Sequence, residues 1–166
     1  MLYKENSFVG VIILRDFEVI SFKQFKKDIS EDEELYKKVR IPKRDTKGAA
    51  GYDFFAIEEF ELNPGESKKV PTGIKVCMEE DEVLFLVLRS SMGFYYNLRL
   101  CNQVGIIDSD YYNNLDNEGH IWFKIQNEGK EKLKIKQGEA FGQGVFIKYL
   151  TTNSEKNEFI ERRNRY

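Results

Sequence analysis

The sequence has 166 residues, of which 41% are hydrophobic and 33% charged, and its formal net charge is -2. This length suits one domain with a sizeable core, and the charge provides no overall attraction for nucleic acid or an anionic membrane. Two cysteines, Cys77 and Cys101, and a single histidine, His120, leave almost no material for a disulfide framework, a zinc site or Ser-His chemistry.

The N-terminal region begins with an apolar run that is shorter than the roughly 18 residues a membrane helix needs. Arg15 and Asp16 follow this run directly, which differs from the cleavage pattern of a signal peptide. We therefore expect a cytoplasmic protein with no membrane partner. The β-branched residues of the run predict a first strand at Val9–Ile13, and apolar residues continue in alternation as far as Val19.

The charged segment Ser21–Lys38 predicts one or two short surface helices, because Phe22 and Phe25 recur at helical spacing among lysines. Ser30 and Glu33 have the spacing of a capping box. The role of this segment stays open: it is either a peripheral decoration or an extension that binds a partner.

From Ile41 onward, short apolar runs alternate with turns that contain proline or glycine, and no helical pattern separates them. The runs predict strands at Ile41–Arg44, Ile74–Cys77, Val83–Leu88, His120–Ile125, Glu131–Ile135 and Ala140–Leu150. This pattern is typical of an antiparallel all-β sandwich, jelly roll or barrel. We predict a single domain over residues 1–150, with its motif-bearing core at 41–150.

Two polar clusters in this region are candidates for binding a phosphate or a metal. Asp53 lies among apolar neighbours and is costly to bury unless it is paired, so it is a candidate ligand for metal-bound water. The alternative is a turn aspartate bonded to its own backbone. Arg89, Ser90 and Ser91 follow a buried strand and precede a predicted helical turn, which together predict an anion site. The alternative for this cluster is an N-cap serine.

The third cluster is Asn102–Tyr112, which predicts a tight hairpin with its turn at Gly105. Its backbone groups could read a flat polar ring, Asp108 could hold a water, and the ring of Tyr111 could stack on a ligand. The alternative is an ordinary hairpin with solvated aspartates. The fourth cluster is Gly138–Gly144, where glycines permit close backbone approach and Gln143 could extend an amide into a shared cleft.

Taken in this order, the four clusters resemble those of the trimeric dUTP pyrophosphatases over about Ile41 to Leu150. The resemblance implies a jelly-roll-like β-barrel that forms a homotrimer with active sites at subunit interfaces. It also implies hydrolysis of dUTP to dUMP and pyrophosphate.

The resemblance further implies a role for each matching residue. Asp108 would be the general base that orients and deprotonates the water attacking the α-phosphorus. Tyr111 would pack against the deoxyribose and exclude a 2′-hydroxyl, and Asp53 would hydrogen-bond waters around a phosphate-bound Mg²⁺. The residues implied in substrate binding are Asn102, Gly105, Ile106 and Ile107 for uracil, and Arg89, Ser90, Ser91 and Gln143 for the phosphates.

Two features depart from the family pattern. The polar loop after Tyr111 is longer than usual, extending from Tyr112 to Gly119. The family's glycine-rich C-terminal arm, which closes over the nucleotide, has no match in residues 151–166, so we expect these residues to be the start of an arm that continues further.

Two other functions compete with this interpretation. A dCTP deaminase shares an Arg-Ser-Ser-like motif, but it needs a carboxylate where this sequence has Lys124, and a lysine cannot replace the proton shuttle of a glutamate. A catalytically silent trimer that binds nucleotide or a protein partner is the second alternative.

Overall fold

The structure is a computed structural model that describes residues 15–154. The strand predicted at Val9–Ile13 and the expected C-terminal arm beyond residue 154 lie outside the described residues. The helices are α1 (Phe22–Asp28), α2 (Glu33–Tyr36) and α3 (Ser90–Tyr96), with a 3-10 helix at Ser109–Tyr111. The strands are β1 (Asp16–Val19), β2 (Tyr52–Phe55), β3 (Phe60–Leu62), β4 (Ser67–Pro71), β5 (Ile74–Cys77), β6 (Glu82–Leu88), β7 (Leu98–Leu100), β8 (Gly105–Asp108), β9 (Trp122–Asn127), β10 (Leu133–Ile135) and β11 (Ala140–Lys148).

The strands pair only in the antiparallel sense within residues 15–154, as predicted from short strands that follow one another without intervening helical patterns. A four-stranded sheet has the order β2-β11-β6-β8, and a three-stranded sheet has the order β4-β9-β7. Two further pairs are β1-β5 and β3-β10. The all-β class is therefore confirmed.

The main core lies between these sheets and is rich in aromatic rings. Phe123 packs against Phe54 and Phe141 with ring centroids 5.3 and 5.1 Å away, and all three side chains are fully buried. A Cβ atom at Gly142 would lie 2.5 Å from Phe123 Cε1, so β11 needs a glycine there to admit this ring. The glycines of β11 are thus explained first by packing.

The charged segment Ser21–Lys38 and the adjoining Ile20 form a second, smaller core. Ile20, Phe25 and Leu35 pack with Ile57 from the body of the protein, and all four side chains are buried. The prediction of short helices in Ser21–Lys38 is confirmed.

The predicted capping box of α2 is wrong. The N-cap is Asp32, whose Oδ1 accepts from the N–H groups of Glu34 and Leu35 at 2.8 and 3.2 Å. Ser30 Oγ instead accepts from the N–H of Asp32 at 3.1 Å. Aspartate and serine both cap helices well, and the sequence offers both within one turn.

The strand predicted at Ile41–Arg44 is also wrong, since only an isolated bridge joins Lys43 to Asp53. Pro42 has no N–H to donate to a ladder, which limits pairing of this segment. Among residues 15–154 no helix is long and apolar enough to cross a membrane.

Candidate active site

Three side chains predicted to bind phosphate or metal meet at one place in the four-stranded sheet, two from adjacent strands and one from just beyond the end of β6. Asp53 on β2 lies opposite Gln143 on β11, and Gln143 lies opposite Val87 on β6. Gln143 Nε2 donates to Asp53 Oδ1 at 2.9 Å, and Arg89 Nε lies 3.4 Å from the same oxygen. Asp53 is only 6% exposed, so its charge is buried beside a guanidinium that compensates it.

This geometry rejects the alternative for Asp53, because the residue lies within a strand and its carboxylate contacts Gln143 on β11 and Arg89 at the start of α3. Gly51 makes the arrangement possible. A Cβ atom on Gly51 would lie 2.9 Å from Gln143 Cδ, too close for the amide to keep its position. Sequence reasoning missed this residue, although the small-residue run Ala49-Ala50-Gly51 was the available signal.

The Arg89–Ser91 segment lies where β6 ends and α3 begins. The N-cap of α3 is Arg89, with no side-chain capping bond, so the alternative of an N-cap serine is wrong. The Arg89 N–H donates to the carbonyl of Phe141 at 3.2 Å, which ties this segment to β11. Ser90 and Ser91 lie in the first turn of α3, directly after Arg89. Ser90 is exposed and Ser91 is half-buried.

The predicted hairpin at Asn102–Tyr112 is instead a turn between two sheets. Its flanking strands have different partners, since β7 pairs with β9 whereas β8 pairs with β6. The turn occupies residues 101–104, and Gln103 adopts a positive φ of 67°. Gly105 is the first residue of β8, where a Cβ atom would lie 2.9 Å from Leu86 Cβ. The glycine is therefore required by close strand packing.

Asp108 and Tyr111 lie at the other end of β8. Asp108 pairs with Val83 near the start of β6, whereas Arg89 follows the end of the same strand. At about 3.3 Å per residue, the backbone positions of Asp108 and Arg89 are about 20 Å apart. A single chain therefore brings together Asp53, Arg89 and Gln143 but holds Asp108 and Tyr111 away from them.

The Tyr112–Gly119 loop surrounds the polar groups of Tyr111. Asn117 Nδ2 donates to the Tyr111 hydroxyl at 2.7 Å, and this hydroxyl lies 3.3 Å from the carbonyl oxygen of His120. Asn114 Nδ2 donates to the carbonyl oxygen of Tyr111 at 2.8 Å. The hydroxyl of Tyr111 is thereby directed into the loop. Sequence reasoning did not assign Asn114 or Asn117 any contact.

His120 joins this loop to α1. Its side chain is fully buried, and Nε2 accepts from the N–H of Gly73 at 3.0 Å. The proton of the neutral ring therefore lies on Nδ1, which donates to Asp28 Oδ2 at 2.6 Å. Burial lowers the pKa of His120 below its ordinary value, with Asp28 and Glu118 acting in the opposite direction. His120 is a structural residue at the end of a loop, and β9 begins at Trp122, whereas the sequence predicted a strand from His120 onward.

The carboxylates of the described chain do not form a direct metal site. Residues 15–154 contain no group of three or more His, Cys, Asp or Glu side chains that could hold a metal ion. Lys124, which replaces the glutamate of a deaminase, is exposed on β9 opposite Lys69.

Several known proteins are similar to this chain in sequence and in fold. A family model described as dUTPase matches residues 37–166. The chain is 45% identical over 125 residues to deoxyuridine 5'-triphosphate nucleotidohydrolase of Lactococcus lactis subsp. lactis, an overlap of 75% of this chain and 83% of that protein. The crystal structure of a dUTPase from Streptococcus mutans is 41% identical, with a TM-score of 0.68 over 84% of this chain and 99% of that chain.

A more distant structure shares the fold. A mutant dUTPase from phage phi11 of S. aureus, whose structure reveals the coordination of a structural Mg(II) ion, is 21% identical. It superimposes with a TM-score of 0.64 over 89% of this chain and 99% of that chain. The jelly-roll type of fold expected from the sequence is thus confirmed. With most of its length matched by the family model and 45% identity to a relative, the chain belongs to the dUTPase family.

Proposed function

We propose that this protein hydrolyses dUTP to dUMP and pyrophosphate. The observation that carries the proposal is the cluster of Asp53, Gln143 and Arg89, in which a buried carboxylate contacts an amide and a guanidinium in a chain of the dUTPase family. Phosphoryl transfer depends on positioning and charge neutralisation more than on covalent chemistry, and this cluster supplies groups for both.

The phosphates would be held by Arg89, Ser90, Ser91 and Gln143. A guanidinium binds phosphate oxygens through several parallel N–H donors, and hydroxyls and an amide add neutral donors that impose direction. Arg89 is one-third exposed, so its guanidinium remains accessible to a ligand. The contact with Asp53 orients this guanidinium before substrate arrives.

Asp53 would act on a phosphate-bound Mg²⁺ through water. Mg²⁺ keeps several of its waters and takes its remaining ligands mainly from substrate phosphates, so a single nearby carboxylate fits this metal better than a closed cage of ligands. Asp53 is such a carboxylate, and it is not accompanied by a direct ligand set within residues 15–154. When bound, the ion would neutralise charge that develops on the phosphates.

Uracil would be recognised at β8. Within the described residues β8 is an edge strand, so part of its backbone N–H and C=O groups point away from β6. Gly105, Ile106 and Ile107 could therefore pair with the polar edge of the base, together with Asn102 in the adjoining turn. A base with the wrong donor pattern would leave buried polar groups unpaired, which a binding site discriminates against strongly.

Asp108 and Tyr111 would act at the reacting end of the nucleotide. Asp108 is half-buried at the end of β8, where its carboxylate could accept a proton from the attacking water. Tyr111 would present its ring to the deoxyribose, because its hydroxyl is already engaged by Asn117 and lies near the carbonyl of His120. A ring in contact with C2′ leaves no room for the extra oxygen of a ribonucleotide.

We further infer that the protein is a homotrimer with its active sites at subunit interfaces. The separation of about 20 Å between the positions of Asp108 and Arg89 in one chain is too large for both to act on one α-phosphate. A second copy would bring its β8 to the Asp53–Gln143–Arg89 cluster. This oligomer rests on the geometry of one chain and on the family.

We also propose a cytoplasmic location without nucleic-acid or membrane partners. Two cysteines are too few for the disulfide framework typical of a small secreted domain, and the net charge of -2 supplies no general attraction for polyanions. Cell fractionation followed by immunodetection tests the location.

Pyrophosphate release from dUTP, dCTP, dTTP and UTP, measured with and without Mg²⁺, tests the proposed reaction. We expect release from dUTP alone at an appreciable rate, and suppression by EDTA. Ammonia release from dCTP would favour the deaminase, and tight dUTP binding without turnover would favour the silent trimer. Either result would overturn the proposal.

A further inference from the structure

The ring of Tyr111 is held by a loop that has little secondary structure of its own. The Tyr112–Gly119 loop is polar, and its order comes from side-chain bonds such as that between Asn114 Nδ2 and Asn117 Oδ1 at 2.9 Å. Asn117 Oδ1 also accepts from the N–H of Gly119 at 3.1 Å, which leaves Asn117 Nδ2 directed at the Tyr111 hydroxyl. One amide therefore connects the fold of the loop to the position of the ring.

The same loop is bonded along its length to α1. Ser21, the N-cap of α1, donates from its N–H and its hydroxyl to the carboxylate of Glu118 at 2.9 and 2.5 Å. Lys27 Nζ donates to the carbonyl oxygen of Asp116 at 2.7 Å. At the last residue of the helix, Asp28 accepts the bond from buried His120. Both ends of α1 thus contact the loop.

The opposite side of the loop is bonded to the body of the protein. Lys75 Nζ donates to Asn113 Oδ1 at 2.7 Å, and the Tyr112 hydroxyl donates to Glu18 at 2.7 Å. Burial and this bond to Glu18 raise the pKa of Tyr112 to about 12, so its hydroxyl remains a donor. The loop is therefore held from two sides, by α1 and by residues of β1 and β5.

We propose that Asn117 and the docking of α1 on the Tyr112–Gly119 loop position the Tyr111 ring, and that they thereby determine selectivity for deoxyribose over ribose. This inference rests on the proposed function of Tyr111. Steric exclusion of one oxygen atom requires a ring held within a fraction of an ångström, since a small displacement of a positioning group is costly in rate. Asn117, Asp28 and Ser21 are positioning residues, because they act through Tyr111.

The test is a double-mutant cycle on the ratio of kcat/KM for dUTP to kcat/KM for UTP. Asn117→Ala removes the donor, and Tyr111→Phe removes the acceptor and the hydroxyl's weaker contact with the carbonyl of His120 while keeping the ring. Each should lower the ratio by roughly three- to tenfold, the range that corresponds to one neutral hydrogen bond. The double variant should lose no more than either single variant, because the two residues share one interaction.

Rescue separates positioning from general stability. Asn117→Asp keeps the acceptor for Gly119 and Asn114 and offers the Tyr111 hydroxyl a new acceptor, so its ratio should stay near that of the wild type. Asn113→Gly, which removes the bond from Lys75 on the far side of the loop and tolerates the positive φ of 54°, is the matched control. A structural effect would lower kcat/KM for both nucleotides equally and leave the ratio unchanged.

The contribution of α1 is tested separately with Asp28→Ala, which should lower the ratio by roughly threefold because the bond to His120, the residue that follows the loop, is lost. Glu34→Ala, which removes only an exposed pair with Lys37 on α2, is its control and should leave the ratio unchanged.

Each outcome has one meaning. If Tyr111→Ala leaves the ratio unchanged, or if dUTP is not hydrolysed, the proposed function of Tyr111 fails and this inference fails with it. If Tyr111→Ala lowers the ratio while Tyr111→Phe, Asn117→Ala and Asp28→Ala do not, the proposed function stands and the positioning role is overturned. Tyr111→Phe leaves the bonds within the loop intact, so it decides the question even if Asn117→Ala does not fold.

Discussion

At the scale of single residues, two aspartates close together in sequence have different surroundings. Asp108 ends β8 and is half-buried, whereas Asp110 lies in the following 3-10 helix and is exposed. A general base must be held at a fixed distance from its water, which a strand end provides better than a solvated turn. The difference in environment supports Asp108 as the base.

Replacing Asp108 by asparagine should abolish pyrophosphate release and preserve dUTP binding, since the side chain keeps its shape and loses its basicity. We expect turnover to fall by about 10²-fold or more. Initial rates of pyrophosphate release and calorimetric titration with dUTP measure the two quantities. Asp110→Asn is the matched control, with turnover near that of the wild type. Unchanged turnover in Asp108→Asn would remove this residue as the base.

A substitution at Gly51 tests the Asp53–Gln143–Arg89 cluster without altering any group that is proposed to contact substrate. In Gly51→Ala the new Cβ would displace the amide of Gln143 from Asp53, and because the end of a glutamine side chain moves easily, thermal stability should change little. We expect KM for dUTP to rise about tenfold.

The control for Gly51→Ala is Gly48→Ala in the same loop, where a Cβ atom would meet nothing within 4 Å. Steady-state kinetics and thermal unfolding of both variants measure the effect. An unaltered KM in Gly51→Ala would show that the position of Gln143 is unimportant.

The sequence was sufficient to name candidate site residues but not to predict their contacts with one another. Asp53 and Gln143 are polar residues in apolar strands, Arg89 directly follows one, and such residues are visible without a structure. Their meeting depends on the register of β11 against β2 and β6, which a strand pattern leaves undetermined. The contact of Asn117 with the Tyr111 hydroxyl could not be predicted, because an asparagine in a polar loop is by default a turn residue.

At the scale of elements, the contact between α1 and the loop contains the chain's single histidine. The two bonds of His120 require a neutral ring, because Nε2 must accept from Gly73 while Nδ1 donates to Asp28. Protonation would place a second N–H opposite the N–H of Gly73. The charged groups that face the ring are Asp28 of α1 and Glu118 of the loop, and burial outweighs their effect on its pKa.

The free energy of unfolding should therefore decrease as the pH is lowered below 6.5. The pKa of His120 is lower in the folded than in the unfolded protein, so its contribution is complete above the unfolded value of about 6.5 and is lost as the pH falls towards the folded value. The slope should not exceed about 1.4 kcal/mol per pH unit.

Denaturant titrations between pH 5 and pH 7, at one protein concentration, measure this slope. The carboxylates of Glu61, Glu82 and Glu118 have lowered pKa values and titrate below this window, so they do not obscure it. In His120→Gln the slope should disappear within the window. An equal slope in both proteins would assign the effect to other groups.

Element boundaries followed from sequence wherever an apolar run was bounded by turn residues or charged residues. β5 was predicted with its observed bounds, and β6 within one residue. The turn before β8 was predicted as a hairpin because apolar residues flank it on both sides. The sequence does not show that β7 and β8 take partners in different sheets, since that choice is made by β6 and β9.

At the scale of the whole molecule, the separation of Asp108 from Arg89 makes a prediction about mixed oligomers. If each site takes β8 from one copy and the phosphate cluster from another, chains carrying Asp108→Asn should complement chains carrying Arg89→Ala. Each variant alone should be nearly inactive. Random assortment of co-expressed chains should restore about a quarter of the wild-type sites, because each site draws one residue from each of two copies.

The matched control pairs Asp108→Asn with Tyr111→Ala. Both residues lie at the same end of β8, so one copy supplies both of them to a given site. Every site of this mixture therefore retains one of the two defects, and its activity should not exceed that of the separate variants. Pyrophosphate release from oligomers whose mixed composition has been verified by mass spectrometry measures both cases. Failure of the first pair to complement would mean that Asp108 and Arg89 of one chain act together, which would require β8 to move by about 20 Å relative to α3.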